Sequence, residues 1–211
     1  EAWTTFANAE KSWAYRQDQL PSTHPVAADI PDLHAVEVNF DGITYAKGAS
    51  VLKQLVAYVG LDHFLAGLRD YFAAHAFGNA TFDDLLAALE KASGRDLSDW
   101  GRQWLKTTGL NTLRAEFDVD DPSQNGGRFT RFAVHQGGAA PGAGETRVHR
   151  LAVGIYADNG SGKLVRSHRE ELDVTGDVTD VPALLGVSRG DLVLVNDDDL
   201  TYCSMRLDPT S

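Results

Sequence analysis

The chain has 211 residues, 43% of them hydrophobic, so it can form a packed core and is long enough for two domains. A formal net charge of −11 argues against nucleic acid or an anionic membrane surface as a partner. Cys203 is the single cysteine, so no internal disulfide can form, and we expect a reducing, cytoplasmic location. No apolar run reaches the length of a membrane-spanning helix.

Residues 1–109 carry the apolar periodicity of helices. An opening helix is predicted around Trp3, Phe6 and Trp13, and the Pro-containing stretch from Pro21 to Asn39 is predicted to be extended. Further helices follow from apolar residues at helical spacing and from their start and stop residues: Leu52 to Val59, ending at Gly60; Leu61 to Phe72; a helix with Thr81 as N-cap and Gly94 as its stop; and Leu97 to Trp104, closed by Gly109.

From about residue 110 the apolar period changes to two, which is typical of strands. The predicted strands contain Leu113 to Val119, Leu151 to Ile155, Leu172 to Val174 and Leu192 to Val195. A turn is predicted at 158–162 and a mobile loop at 137–144. The expected fold class is therefore α+β, with an all-helical part over 1–109 and a small β-sandwich domain over 110–211.

The residues that commonly bind metals or phosphates form no convincing motif. No two histidines lie four apart, so no helix presents the paired imidazoles of a zinc metalloprotease, and we assign no metal ligand in this chain. The sequence at 160–163 fits a hairpin turn better than a phosphate loop, and Asp197 to Asp199 fit a solvated turn better than a calcium loop.

Tyr45 opens a run, 45–52, that leads into the predicted helix ending at Gly60. A phenol at such a helix start can donate a hydrogen bond to an anionic oxygen without itself carrying charge. The preceding residues 40–44 supply a turn that could hold the ring in one orientation. Periodicity alone favours the plainer reading, an amphipathic packing residue with its hydroxyl in water.

The sequence at 13–20 is similar to the actinobacterial branch of the zinc aminopeptidase N family. Longer stretches around Tyr45 resemble the same family. They are His24-Pro25-Val26 and the run from Phe40 through Tyr45 to Ala49, which matches the pattern Phe-Asp-x-Ile-x-Tyr-x-Lys-Gly-Ala. Residues 80–85 with 96–104 resemble the helices that close the catalytic domain of that family. Residues 196–208 resemble the last strand of the β-sandwich that follows it.

The resemblance implies a zinc-dependent aminopeptidase that removes N-terminal residues from peptides. It implies that residues 1–109 are the end of a thermolysin-like catalytic domain, and that Tyr45 stabilises the oxyanion formed at the scissile carbonyl. Phe40 aligns near an aromatic wall of the first substrate pocket.

The zinc motif of the family lies upstream of the matching stretches, and the sequence around Glu1 does not match its zinc-binding glutamate. The zinc is therefore expected in a part of the protein outside this chain. This chain would be a fragment lacking N-terminal and C-terminal domains, and it would be inactive alone. The alternatives are a non-catalytic scaffold of the same architecture, which the upstream sequence would distinguish, and an epoxide-hydrolysing relative.

Overall fold

A computed structural model describes residues 2–123 and 126–211, so Glu1 lies outside the described residues. The fold is α+β, with helices first and strands after them, as predicted. The α-helices are α1 (Ala2–Thr5), α2 (Ser12–Asp18), α3 (Leu33–Val38), α4 (Gly48–Val59), α5 (Leu61–Ala74), α6 (Phe82–Ser93) and α7 (Ser98–Leu105). Two π-helical segments, Phe6–Lys11 and Ile43–Lys47, join α1 to α2 and lead into α4.

The helix boundaries follow local chemistry. Thr81 caps α6 by accepting the backbone N–H of Asp84, and the Asp84 carboxylate accepts the backbone N–H of Thr81 in return. Gly94 ends α6 in the left-handed conformation at φ 70°. Gly60, at φ 85°, separates α4 from α5, which are bent by 109° relative to each other.

Two expectations about the helical half were wrong. The stretch predicted to be extended contains α3, because Asp32 caps a turn there by accepting the backbone N–H of Ala35. The last helix ends at Leu105 rather than at Gly109. Gly109 is required for another reason: at φ 76°, an added Cβ would lie 2.2 Å from the carbonyl oxygen of Pro141.

The strands form two sheets. They are β1 (Leu110–Val119), β2 (Phe129–Ala140), β3 (His149–Asp158), β4 (Leu164–Val174), β5 (Val178–Asp180), β6 (Leu192–Asp197) and β7 (Ser204–Arg206). One sheet has the order β5-β2-β1-β7 and the other β4-β3-β6. All pairings are antiparallel except that of β1 with β7. The turn predicted at 158–162 joins β3 to β4.

Two expectations about the strand half also need correction. Residues 137–140 belong to β2 rather than to a mobile loop, because β1 pairs along them, with Thr112 opposite Gly137. Asp198 and Asp199 form the predicted turn, but Asp197 ends β6 and is buried, and ion pairs hold it and Asp198. The buried carboxylate of Asp197 accepts from the Tyr156 hydroxyl and from Arg166, each at 2.7 Å.

The hydrophobic core has two parts. One lies between the two sheets and consists of strand residues with Val181, Leu184 and Cys203. The other packs α4, α6 and α7 together, and it includes Leu110 and Tyr202 from the strand half. The helical and strand halves therefore share buried apolar surface.

No single helix in the described ranges is long and apolar enough to cross a membrane. The pair Ile43–Val59 and Leu61–Ala74 passes that test only when taken together across its bend.

Candidate functional site

Tyr45 lies in the π-helical segment Ile43–Lys47, which continues directly into α4. The two sides of this segment differ in burial. Ile43, Ala46 and Lys47 are buried in the core, whereas half of the Tyr45 side chain is exposed. The backbone is thus fixed by its buried neighbours while the phenol faces outward. The aromatic neighbour of the Tyr45 ring is Phe40.

Asp41 caps the segment that carries Tyr45. Its Oδ1 accepts the backbone N–H groups of Ile43 and Thr44, both at 3.0 Å, and its carbonyl oxygen accepts the N–H of Tyr45 at 3.1 Å. The second carboxylate oxygen lies 3.0 Å from His24 Nε2. These contacts satisfy donors that a helix start would otherwise leave unpaired.

His24 connects the preceding loop to this cap. Its Nδ1 lies 2.8 Å from the carbonyl oxygen of Pro25, and its Nε2 is the atom that meets Asp41. The ring is therefore partnered at both nitrogens. His34, the other histidine of the stretch predicted to be extended, is exposed on α3.

Phe40 lies beside Tyr45. The ring centroids are 4.7 Å apart with an interplanar angle of 65°, an edge-to-face contact. Phe40 is 69% exposed, so the pair forms an aromatic surface with a phenol at one side. Such a surface can contact an apolar group while the hydroxyl donates to an oxygen.

Lys47 points away from this surface into the core. Its Nζ lies 2.8 Å from Asp18 Oδ2, and neither side chain is exposed. Burial lowers the pKa of Lys47 below its ordinary value, and the neighbouring Asp18 acts in the opposite direction. A lysine at a buried position of a helix requires an anionic partner. The sequence analysis did not predict Asp18 as this partner, although the need of Lys47 for an anion was a signal that such a partner exists.

The described residues offer no metal centre. Nowhere in the described ranges do three or more His, Cys, Asp or Glu side chains come together as metal ligands would. His24 and Asp41 are already each other's partners.

Two open grooves occur at other places. The larger, of about 680 Å³, is lined mainly by α4 and α5, including Leu52, Val56 and Phe64. The other, of about 540 Å³, is lined mainly by α6 and α7. Neither groove is lined by Tyr45 or Phe40. The exposed side chains of Phe40 and Tyr45 form an open surface.

Comparison with known proteins gives matches to aminopeptidases. The family model described as "Peptidase family M1 domain" matches residues 1–104. Aminopeptidase N of Streptomyces lividans is 57% identical over the whole chain, which corresponds to 25% of that protein. Aminopeptidase M1-B of Oryza sativa subsp. japonica is 34% identical over 66% of the chain and 15% of its own length. Tricorn protease-interacting factor F2 of Thermoplasma volcanium is 35% identical over 56% of the chain and 15% of its own length. The chain thus spans a quarter or less of these relatives.

Proposed function

The chain belongs to peptidase family M1 through residues 1–104, and we propose that it is part of an aminopeptidase to which it contributes an oxyanion-stabilising tyrosine, Tyr45. The proposed substrates are peptides, from which the whole protein removes N-terminal residues. By itself, the 211-residue chain is expected to be inactive, since other domains of the protein would complete the site.

The observation that supports this role is the exposed phenol on a rigid backbone. Hydrolysis of a peptide bond develops negative charge on the scissile carbonyl oxygen when water adds to the carbonyl carbon. The Tyr45 hydroxyl can donate a hydrogen bond to that oxygen, and a donor fixed in advance stabilises the transition state more than the substrate. Asp41 and the buried residues Ile43 and Lys47 provide that fixation.

Phe40 is proposed to contact the N-terminal side chain of the substrate. It is exposed, apolar and directly beside Tyr45, so a residue bound against it would lie close to the phenol. Its contribution would be to apolar burial of the substrate side chain.

The resemblance of this sequence to the zinc aminopeptidase N family implies a zinc ion in the whole protein. The residues described here do not fit a zinc site. Their His, Cys, Asp and Glu side chains form no ligand group, and His24 is engaged by Asp41 and Pro25. We propose that the zinc is bound by a part of the whole protein outside this chain.

The test is the variant Tyr45→Phe in the full-length protein. Loss of one such donor is expected to lower kcat by roughly 10²–10³-fold, with little change in KM or in metal content. Tyr71→Phe is the matched control, because Tyr71 lies on α5 against Phe72 and His75, and kcat should be unchanged. An unchanged kcat in Tyr45→Phe would remove Tyr45 from the mechanism.

A further inference from the structure

We infer that the end of α2 acts as a positioning element for Tyr45, through Gln17 and Asp18, and that Asp18 also connects this element to the strand half. The inference rests on the proposed role of Tyr45. Gln17 and Asp18 would act through their bonds to Gly42 and Lys47, residues on either side of Tyr45.

The first attachment lies three residues before Tyr45, at Gly42. Gln17 Oε1 accepts the backbone N–H of Gly42 at 2.6 Å. An added Cβ at Gly42 would lie 2.6 Å from Gln17 Oε1 and 2.8 Å from Trp13 Cδ2. The peptide at Gly42 therefore rests directly against α2, with no room for a side chain between them.

The second attachment lies two residues after Tyr45, at Lys47. Its ammonium group meets Asp18 Oδ2 in a fully buried ion pair. Lys47 Nζ also lies 5.4 Å from the centroid of the Tyr202 ring, a cation–π distance. Adjacent residues of one helix thus hold the Tyr45 segment on both sides of the phenol.

Asp18 extends this hold to the strand half. Its Oδ1 accepts the hydroxyl of Thr23 at 2.6 Å and the backbone N–H of Gly109 at 2.9 Å. Gly109 directly precedes β1, which begins at Leu110. One carboxylate therefore joins the Tyr45 segment, the loop after α2 and the start of the first sheet.

The phenol is half exposed and packs edge-on against Phe40, which is itself exposed, so the position of the phenol depends strongly on the backbone that carries it. A hydrogen-bond donor loses effect when it moves by a fraction of an ångström from the developing oxyanion. Weakening the attachment at Gly42 should therefore reduce kcat more than KM.

The experiment uses Gln17→Met in the full-length protein, which removes the acceptor while keeping a side chain of similar length. We expect kcat to fall roughly tenfold with KM within about twofold. Gln19→Met is the matched control, because Gln19 directly follows α2, is exposed and donates to the carbonyl of Tyr15. That control should retain wild-type kcat.

A double-mutant cycle separates positioning from a general structural effect. In the Tyr45→Phe background, Gln17→Met should cause no further loss of kcat, because there is no longer a hydroxyl to position. An equal loss in both backgrounds, or none in the wild type, would overturn the inference while leaving the role of Tyr45 intact. An unchanged kcat in Tyr45→Phe alone would instead count against the proposed function.

A second measurement does not depend on turnover. In the 211-residue chain labelled with ¹³C at tyrosine rings, the Tyr45 resonance should shift or broaden in Gln17→Met and stay unchanged in Gln19→Met. Assignment comes from the resonance lost in Tyr45→Phe. An unperturbed Tyr45 resonance in Gln17→Met would contradict a positioning role for α2.

Discussion

His149 is a buried histidine whose contacts join parts of the core, and it does not belong to the candidate site. Its Nδ1 lies 2.8 Å from Thr201 Oγ1, its Nε2 lies 3.1 Å from Gln136 Oε1, and Trp104 packs edge-on against its ring. Burial lowers the pKa of His149 from 6.5 to about 3, with the charge of Arg147 acting in the same direction. The folded state therefore holds this imidazole neutral.

This shift predicts acid destabilisation. In the unfolded chain His149 binds a proton below about pH 6.5, whereas the folded chain resists protonation down to about pH 3. Its contribution to stability is complete above about pH 6.5 and is lost as the pH falls through that window. The loss is at most about 1.4 kcal/mol per pH unit.

Urea unfolding of wild type and His149→Gln between pH 7.5 and pH 4.5 measures this effect. The difference between the two free energies of unfolding should shrink as the pH falls. His34→Gln, at an exposed position, should follow the wild type at every pH. A constant difference between wild type and His149→Gln would show that His149 does not titrate differently on folding.

At the scale of elements, Arg147 joins the end of α7 to the start of β1. The side chain is 1% exposed and donates to five acceptors, namely the carbonyl oxygens of Gln103, Thr108 and Gly109 and the side-chain oxygens of Thr107 and Asn111. Its planar fork of donors satisfies carbonyl groups that the end of a helix leaves unpaired.

Replacing Arg147 by Met should remove a donor from each of these buried acceptors, although the carbonyl of Gln103 keeps another, the Thr107 hydroxyl. We expect the free energy of unfolding to fall by roughly 3–5 kcal/mol, as for removal of one partner from a buried charged network. Arg131→Met is the control, because Arg131 lies on the exposed face of the sheet, paired with Glu116 and Asp118, and should change stability little. Similar losses in the two variants, measured by urea unfolding, would contradict this account of the junction.

The sequence predicted the elements whose boundaries are encoded locally. Thr81 with Asp84 and the glycines at 60 and 94 mark helix ends by their own chemistry, so those helices were found. The glycine-rich end of β2, 137–140, was predicted to be a loop because it carries no strand pattern, and pairing with β1 decides its conformation. Contacts at long range explain this failure.

In the candidate site too, some features are encoded locally and others depend on the fold. The run around Tyr45 is visible in the sequence because its residues are contiguous. The partners that hold this run cannot be recognised from the sequence, because they are distant along the chain. Asp18 lies 29 residues before Lys47, and Gln17 lies 25 residues before Gly42. Only the fold brings α2 against this segment.

At the scale of the whole molecule, the division at residue 109 into a helical part and a sandwich remains our proposal. The two parts are closely joined: Tyr202 and Leu110 belong to the helical core, and Lys11 of the opening helical region donates to Asp199 at 2.5 Å and to the carbonyl of Thr201. The shared apolar surface and the partly buried Lys11–Asp199 ion pair favour unfolding as one unit.

We therefore expect a single urea transition for the 211-residue chain. All four tryptophans lie within residues 1–109, so their fluorescence reports the helical part. Amide hydrogen exchange along β3 reports the sheets. The two probes should give the same midpoint, and a β3 midpoint clearly above that of the fluorescence would mean that the two parts unfold independently.

The central claim is that the Tyr45 hydroxyl stabilises an anionic oxygen in the transition state. The most direct measurement is the inhibition constant of a phosphinic peptide, a stable tetrahedral anion, for the full-length protein and its Tyr45→Phe variant. The account predicts that the variant binds this inhibitor roughly 10²–10³-fold more weakly, in parallel with its loss of kcat, while KM stays close to the wild-type value. Equal inhibition of the two proteins would contradict it.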